Sequence, residues 1–146
     1  MMNSSSEKYI ENAVNRYSDT VFRVAFQYTR DRSDAEDIVQ EVFLRLFKRS
    51  PITDENGLKA WLIRVAINKG KDFIRAQKRR REVVFNCVSP IRPDSHSEVF
   101  DALAQLPEQD RNALYLHYYE GYTAREIAGI IGGSERAVTK RICRAR

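Results

Sequence analysis

The chain has 146 residues, 42% of them hydrophobic and 31% charged, which suits one compact domain or two very small ones. Its mean hydropathy of −0.54, together with the lack of any apolar run near ~18 residues, excludes a membrane-spanning helix and predicts a soluble protein. A net charge of +5 indicates a polyanionic partner only if the positive residues are concentrated in particular segments.

The N-terminal segment, MMNSSSEKYIENAV, has no basic stretch followed by an apolar core, so we expect no secretory signal. Apolar residues then recur at intervals of three and four, which predicts a first helix over about residues 6–29. The predicted core face of this helix consists of Ile10, Val14, Tyr17, Val21, Val24 and Tyr28.

The second helix is predicted to begin at Ser33, because Ser33 and Glu36 have the spacing of a capping box, and to end at Ser50-Pro51. Its outward face is polar but has Leu44 at its centre. A single exposed leucine is common, yet an apolar centre with a charged rim is also typical of protein-docking surfaces. The predicted buried face consists of Ala35, Ile38, Val39, Val42 and Leu46, and the outward face of Asp37, Gln40, Glu41, Leu44 and Lys48.

A long third helix is predicted over about residues 56–81, and residues 59–82 hold nine lysines or arginines against two acids. A cationic stripe interrupted by an asparagine is typical of a surface that follows a nucleic-acid backbone and has one group able to hydrogen-bond a base edge. For Trp61, at the edge of this stripe, we favour core packing over base stacking. The stripe consists of Arg64, Asn68, Lys71, Arg75 and Lys78, and the core face of Leu58, Leu62, Val65, Ala66 and Phe73.

Residues 86–97, NCVSPIRPDSHS, are rich in proline and small polar residues and are predicted to form a linker. Cys87 and Cys143 stand far apart without nearby histidines, which fits neither a zinc site nor a disulfide framework and suggests a reducing cytoplasm. A short helix is predicted near residues 97–105. Since no segment has the pattern of a strand, the predicted fold class is all-α, with two small helical domains, residues 1–84 and 98–146, joined by a flexible linker at 85–97.

The C-terminal part has the spacing of a helix-turn-helix. A helix is predicted to start at Pro107, where proline suits the first helical turn. Thr123 and Glu126 form a second predicted capping box, Gly132 suits the end of that helix, and Ser134 can cap the last one. A helix, a three-residue turn containing glycine and a second helix together indicate a helix-turn-helix.

The last helix has five cations against one acid over residues 134–146. With Val138 at the centre of its buried face, Ile142 and Ala145 lie beside it. In helix-turn-helix proteins the opposite face enters the major groove, where long cations reach guanine acceptors or phosphates; a solvated basic face is the alternative. The outward residues here are Arg136, Thr139, Lys140, Cys143 and Arg144.

Three segments, in this order and spacing, together resemble a bacterial sigma factor of the extracytoplasmic-function group, which has only regions two and four. DAEDIVQEVFLRLFKR (34–49) resembles the region-two segment that binds the clamp helices of the polymerase β′ subunit. AWLIRVAINKGKDFIRAQKRR (60–80) resembles the part that melts and reads the −10 promoter element. LPEQDRNALYLHYYEGYTAREIAGIIGGSERAVTKRICRAR (106–146) resembles region four, which reads the −35 element.

The resemblance implies roles for particular residues. Asn68 matches the asparagine that lines a pocket for a flipped-out promoter base, and the loop SPITDE (50–55) matches the specificity loop, with Ile52 as a pocket wall. The −10 contacts are then Ile52, Trp61, Arg64, Asn68, Lys71, Arg75 and Lys78; the −35 contacts are Arg136, Thr139, Lys140, Arg141, Cys143 and Arg144; and the polymerase contacts are Asp37, Gln40, Glu41, Leu44 and Arg45.

The implied partners are core RNA polymerase, through its β′ clamp helices and β flap, promoter DNA, and an anti-sigma factor that covers the same surfaces. The implied location is the cytoplasm, with tethering at the membrane only through the anti-sigma factor. The resemblance implies no catalysis, no cofactor and no metal. One departure is Gly133, where relatives usually have an apolar residue, so we expect a looser turn.

Three other functions compete with this interpretation. A dimeric helix-turn-helix repressor would leave the acidic second helix without a role. A nucleic-acid-processing enzyme would need catalytic groups, but His96 and His117 are the only histidines, and Asp34, Glu36 and Asp37 do not converge on a helix. A pure protein-interaction module would leave both basic faces unexplained.

Overall fold

The computed structural model describes residues 4–83, 103 and 105–144, and the chain divides into two compact units, Met1–Pro93 and Asp94–Arg146. Within the described residues every regular element is a helix, so the predicted all-α fold class is confirmed. The predicted linker with Cys87, and nearly all of the short helix predicted near 97–105, lie outside the described residues. The predicted domain boundaries at 84 and 98 therefore stay predictions.

The first unit consists of three long helices, α1 (Ser4–Thr29), α2 (Arg32–Lys48) and α3 (Glu55–Val83). Each helix contacts the other two, because each presents an apolar stripe at helical spacing to a shared core. The fully buried residues of this core include Val21, Ala25, Val42, Leu46, Leu62 and Ile63. The predicted core faces agree with the observed burial, apart from the half-buried Ile10, Val14, Val39 and Phe73.

A glycine allows α1 and α3 to approach closely. Gly70 is buried, and a Cβ atom at this position would lie 2.4 Å from Cγ of Tyr28 on α1. Non-bonded carbon atoms pack at about 3.5–4.0 Å, so any larger residue would displace one of the two helices. Gly70 falls between Asn68 and Lys71, and the contact therefore sets how far the basic stripe stands from α1.

The start of α2 differs from the prediction. The helix begins at Arg32, and its N-cap is Asp31, whose carboxylate accepts a 3.0 Å hydrogen bond from the backbone N–H of Asp34. Ser33 lies inside the first turn and is exposed, so the capping box of Ser33 and Glu36 was wrong. A carboxylate satisfies the same orphan donors as a serine hydroxyl and also interacts favourably with the helix dipole.

The connection between α2 and α3 is short. Helix α2 ends at Lys48, slightly before the predicted Ser50-Pro51, and α3 begins at Glu55, where the prediction gave about 56. The Asp54 carboxylate accepts a 3.0 Å hydrogen bond from the N–H of Gly57, which satisfies one donor in the first turn of α3.

The second unit contains α4 (Glu108–Leu114), α5 (Ala124–Ile131) and α6 (Glu135–Arg144). Pro107 directly precedes α4 rather than lying in its first turn. Helix α4 continues into a π-helical turn at Tyr115–Tyr119, a local widening that is frequent at functional positions. The buried apolar residues of the unit are Leu103, Ala113, Tyr115, Leu116, Ile127, Ile130, Val138 and Ile142.

The turn between α5 and α6 has the predicted chemistry. The Thr123 hydroxyl and the Glu126 carboxylate each accept a hydrogen bond from the other residue's backbone N–H, which confirms the second capping box. Gly132 and Gly133 have φ angles of 91° and 92°, and Ser134 Oγ accepts a 3.1 Å hydrogen bond from the N–H of Ala137. A residue with a side chain is strained at positive φ, so the backbone conformation itself favours glycine at position 133, where relatives usually have an apolar residue.

Among the described residues, no helix combines the length and the apolar content that a membrane span requires.

Candidate nucleic-acid interface

The basic stripe of α3 lies on the surface of the first unit. Arg64, Asn68, Arg75 and Lys78 are exposed and Lys71 is half-buried, whereas Leu58, Leu62, Val65 and Ala66 on the other side are buried. Arg75 makes an exposed ion pair of 3.3 Å with Asp72 one turn earlier, a contact that water and salt screen strongly. The burial of α3 thus leaves the stripe on the solvent side of the helix.

Trp61 is neither wholly in the core nor freely exposed. Its side chain is half-buried, and the guanidinium carbon of Arg49 lies 5.2 Å from the centroid of its ring. A cation over an indole face is favourable, because the ring carries negative charge density above its plane. Arg49 therefore joins the end of α2 to the start of the stripe, and it had not been singled out from the sequence.

The loop before α3 is bound to α1. Ile52 is half-buried, and its backbone N–H donates a 2.9 Å hydrogen bond to the hydroxyl of Tyr9. Next to it, Glu55 accepts a hydrogen bond from the Tyr17 hydroxyl and an ion pair of 3.3 Å from Arg16. Tyr9, Arg16, Tyr17 and Glu55 line an open cavity of about 490 Å³ between α1 and the start of α3. No sequence pattern predicts these contacts, because the residues of α1 and those near the start of α3 are about forty positions apart.

The hydrogen bonds at this cavity shift three pKa values. The hydrogen bond from Tyr17 lowers the pKa of the Glu55 carboxyl. Burial, followed by the hydrogen bond to Glu55, raises the pKa of the Tyr17 phenol. The hydrogen bond with Tyr17, followed by the negative charge of Glu55, raises the pKa of Arg16. At neutral pH the cluster therefore holds an ionised Glu55, a neutral Tyr17 and a charged Arg16.

The outward face of α2 is a second surface on the same unit. Asp37, Gln40, Glu41, Leu44 and Arg45 are all exposed, with 56% of Leu44 accessible. Phe47, three residues after Leu44, is 45% accessible and extends the apolar centre; the same helical spacing could have identified it in the sequence. Glu41 also makes an ion pair of 3.4 Å with Lys69, which connects this face to α3.

On α6 the outward residues are placed as the sequence predicts. Arg136, Thr139, Lys140, Cys143 and Arg144 are exposed, while Val138 and Ile142 are buried. The side chain of Ala145 lies outside the described residues. Thr139 Oγ1 donates a 2.9 Å hydrogen bond to the carbonyl of Glu135, so its methyl group and hydroxyl have a fixed orientation on the helix.

Two of the predicted −35 residues contact the body of the unit. Arg141, which is half-buried, lies 3.4 Å from a carboxylate oxygen of Asp110 on α4, and Arg144 lies 3.3 Å from the same oxygen. Asp110 itself is buried. Its position in the first turn of a helix gives no reason to link it to residues thirty positions later, so the sequence does not identify it.

The remaining titratable groups do not assemble a metal centre in the described ranges, where no three acids, cysteines or histidines converge. His117 Nδ1 lies 2.9 Å from the carbonyl oxygen of Tyr122. Because a carbonyl oxygen only accepts hydrogen bonds, Nδ1 is the protonated ring nitrogen in this contact. This contact spans the end of the π-helical turn, which gives His117 a structural role.

Comparison with known families and proteins gives two adjacent family matches. Residues 13–80 match sigma-70 region 2, and residues 96–146 match sigma-70 region 4. Together these ranges include all three surfaces described above.

Individual relatives agree with the family matches. The chain is 31% identical to the probable RNA polymerase sigma factor RfaY of Xanthomonas campestris pv. campestris over 87% of its own length, but it spans only 36% of that protein. It is 30% identical to the ECF RNA polymerase sigma factor SigL of Mycobacterium tuberculosis, over 84% of this chain and 76% of the relative. In fold it resembles the sigma factor RpoE of Bartonella quintana, solved with the anti-sigma factor NepR, with a TM-score of 0.69, 22% identity and 93% and 91% of the two chains covered.

Proposed function

The chain belongs to the extracytoplasmic-function group of the sigma-70 family, and from this premise we propose that it binds core RNA polymerase and directs it to specific promoters. The observation that carries the proposal is the pair of exposed cationic helix faces, one in each compact unit, together with the apolar-centred face of α2 in the first unit. Two separate basic faces suit two separate contacts along one duplex. The protein itself catalyses no reaction in this proposal.

The stripe on α3 is proposed to bind the −10 element and the strand that becomes unpaired there. Arg64, Lys71, Arg75 and Lys78 neutralise phosphates, and Asn68 hydrogen-bonds an extruded base that the loop containing Ile52 encloses. Opening a base step costs a few kcal/mol, and capture of the base in a pocket offsets that cost. Trp61 and its Arg49 partner lie at the end of this stripe and extend the contact towards the loop.

The exposed face of α6 is proposed to read the −35 element in the major groove. Lys140 and Arg136 can reach guanine acceptors or phosphates, Thr139 and Cys143 contribute small surfaces beside them, and Arg141 and Arg144 lie on the flank. Each phosphate contact adds about −0.9 to the slope of log K against log salt, so binding of the two faces together depends strongly on ionic strength. A unit of this small size has a limited core, and we expect the isolated protein to bind DNA weakly.

The α2 face is proposed to dock on the β′ clamp helices of the polymerase. Leu44 and Phe47 supply the apolar centre, and Asp37, Gln40, Glu41 and Arg45 the polar rim. The second unit would contact the β flap. Since the relative from Bartonella quintana is solved with an anti-sigma factor, we propose that a partner of the same class holds this chain inactive in the cytoplasm, or at the membrane if that partner is itself anchored there.

Run-off transcription on a promoter library, with purified core polymerase and with or without this protein, tests the proposal. We expect a defined subset of promoters to give transcripts only when the protein is present. Size-exclusion chromatography of the free protein should give a monomer, whereas a dimeric repressor must bridge two half-sites. A protein that neither associates with core polymerase nor changes the initiation sites contradicts the proposal.

A further inference from the structure

Asp110 is a buried acid that contacts the DNA-reading helix from behind. Only 8% of its side chain is accessible, and its Oδ1 atom accepts contacts of 3.4 Å from Nη1 of Arg141 and 3.3 Å from Nη2 of Arg144. A buried carboxylate is costly unless charged or hydrogen-bonding groups compensate it, and here two guanidinium groups do so. The two arginines stand three positions apart on α6, so one acid holds almost a full turn of that helix.

The position of these ion pairs on α6 determines what they restrain. The apolar anchors Val138 and Ile142 are four positions apart and lie along nearly one line of the helix. Anchors on one line oppose a roll of the helix about its own axis only through their own burial. At about 100° per residue, Arg141 and Arg144 fall on the flank between this line and Lys140, where a contact to α4 opposes such a roll.

The ion pairs also change what Arg144 can do. Its side chain is 70% accessible, yet its guanidinium group is drawn back to Asp110 rather than extended over the outward face. Arg141, 30% accessible, is held closer to the core. The outward face therefore consists mainly of Arg136, Thr139, Lys140 and Cys143. Because Asp110 neutralises part of the positive charge of Arg141 and Arg144, it weakens the non-specific attraction of α6 for phosphates.

We propose that Asp110 is a positioning residue for promoter recognition: through Arg141 and Arg144 it fixes the roll of α6 and limits its sequence-independent attraction for DNA. The inference rests on the proposed function, since it assigns a role to a residue that contacts no base itself. If Asp110 were merely structural, replacing it would lower the affinity for any DNA and the preference for one sequence together. In the inferred role, replacing it lowers the sequence preference without lowering the affinity for any DNA.

The test uses the full-length chain with core polymerase and the variant Asp110→Asn, which keeps the size of the side chain and removes its charge. Transcription is measured on two templates that share one −10 element and carry either the upstream element selected by the wild-type protein or a scrambled one. We expect the ratio between the two templates to fall about tenfold, the loss associated with one misread base pair. Binding of the holoenzyme to the scrambled template should stay equal or increase, with a salt slope steeper by up to about one, because Arg144 is released.

Three further variants make the result interpretable. Glu108→Gln removes an acid from the same turn of α4 and should leave the template ratio unchanged. Asp110→Glu keeps the charge and should restore most of the ratio. Arg144→Gln alters an accessible side chain, so it is expected to fold even if Asp110→Asn does not, and it should lower the ratio without steepening the salt slope.

The outcomes separate the inference from the proposed function. A wild-type protein that does not redirect the polymerase contradicts the proposed function itself. If the wild-type protein does redirect it, an unchanged ratio in Asp110→Asn, or an equal loss on both templates in a folded variant, overturns the inference alone. If Asp110→Asn fails to fold, Arg144→Gln decides through two readouts: a lower ratio with an unchanged salt slope supports the inference, whereas an unchanged ratio, or a lower ratio with a smaller salt slope as a direct phosphate contact of Arg144 would give, overturns it.

Discussion

The hydroxyl of Tyr9 on α1 accepts a 2.9 Å hydrogen bond from the backbone N–H of Ile52, which lies 43 positions later in the loop before α3. About two turns further along α1, the Tyr17 hydroxyl donates a hydrogen bond to the carboxylate of Glu55, the first residue of α3. The loop that we propose to enclose a promoter base is thus held on the first helix by a side chain that contacts no DNA in the same proposal.

We therefore expect Tyr9→Phe to reduce discrimination at the −10 element several-fold, because the hydrogen bond between Tyr9 and the loop is lost and the N–H of Ile52 is left without this acceptor. Transcription from templates that differ at single −10 positions measures this effect. Tyr118→Phe, which removes an exposed hydroxyl from the other unit, is the control. Full discrimination in Tyr9→Phe would show that the loop does not depend on this contact.

Asn68→Ala should weaken promoter opening by about tenfold while binding to core polymerase is retained, since one base contact is worth ~1–3 kcal/mol and Asn68 is on the exposed stripe. Open complexes can be followed by permanganate reactivity of unpaired thymines, and polymerase binding by co-purification. Asn56→Ala, an exposed asparagine in the first turn of α3, is the matched control. Equal loss of opening and polymerase binding would contradict the pocket role of Asn68.

Leu44→Asp should abolish co-purification with core polymerase, because it places a charge in the centre of an apolar contact that becomes desolvated. Helix content, measured by circular dichroism, should stay unchanged because Leu44 is 56% accessible in the free protein. Ile74→Asp makes the same change at an exposed apolar residue of α3 and should preserve co-purification. Retained binding of Leu44→Asp would remove the docking surface on α2.

Lys140→Ala should change the preferred base at one position of the −35 element, because its exposed ammonium group lies at the middle of the outward face of α6. Selection of upstream sequences with wild-type and variant holoenzymes compares the two preferences. An unaltered preference with uniformly weaker binding and a smaller salt slope would instead make Lys140 a phosphate contact.

The capping box of α5 predicts a pH dependence of stability. The hydrogen bond from the backbone N–H of Thr123 lowers the pKa of Glu126 below its ordinary value of 4.5. A depressed pKa in the folded state means that the stabilisation is complete above the ordinary value and is lost as the pH falls through the folded one. Thermal unfolding from about pH 6 to pH 3 should show this loss in the wild type and a smaller one in Glu126→Gln. Equal pH profiles would contradict the ionic part of the cap.

Sequence patterns were sufficient for features that depend on residues within one or two helical turns. The two faces of α3 and α6, and the capping box of Thr123 and Glu126, follow from spacings of three and four. At the start of α2 two nearby residues could cap the helix. The N-cap is Asp31, two positions before the predicted Ser33. The pattern has no signal for the π-helical turn at Tyr115–Tyr119, because an apolar stripe fits an α-helix equally well.

Features that join distant parts of the chain were missed for a different reason. Asp110 with Arg144, and Tyr9 with Ile52, meet only after the helices have packed. No residue type in these pairs is unusual at its own position, and the periodicity of one helix does not tell which residue of another helix faces it. The sequence thus predicted which residues are presented to solvent, but not the contacts that hold those residues in place.

The bare backbone of Gly70, pressed against the ring of Tyr28, has a consequence for engineering variants of this chain. Substitutions in the stripe itself leave the packing of α3 against α1 intact and, in our proposal, would change the preferred promoter sequence. Enlarging position 70 by a single methyl group would instead lift the whole row of cations outward from α1 at once. Altered promoter choice in such a variant would then originate from a displaced helix rather than from any change in the groups that touch the DNA.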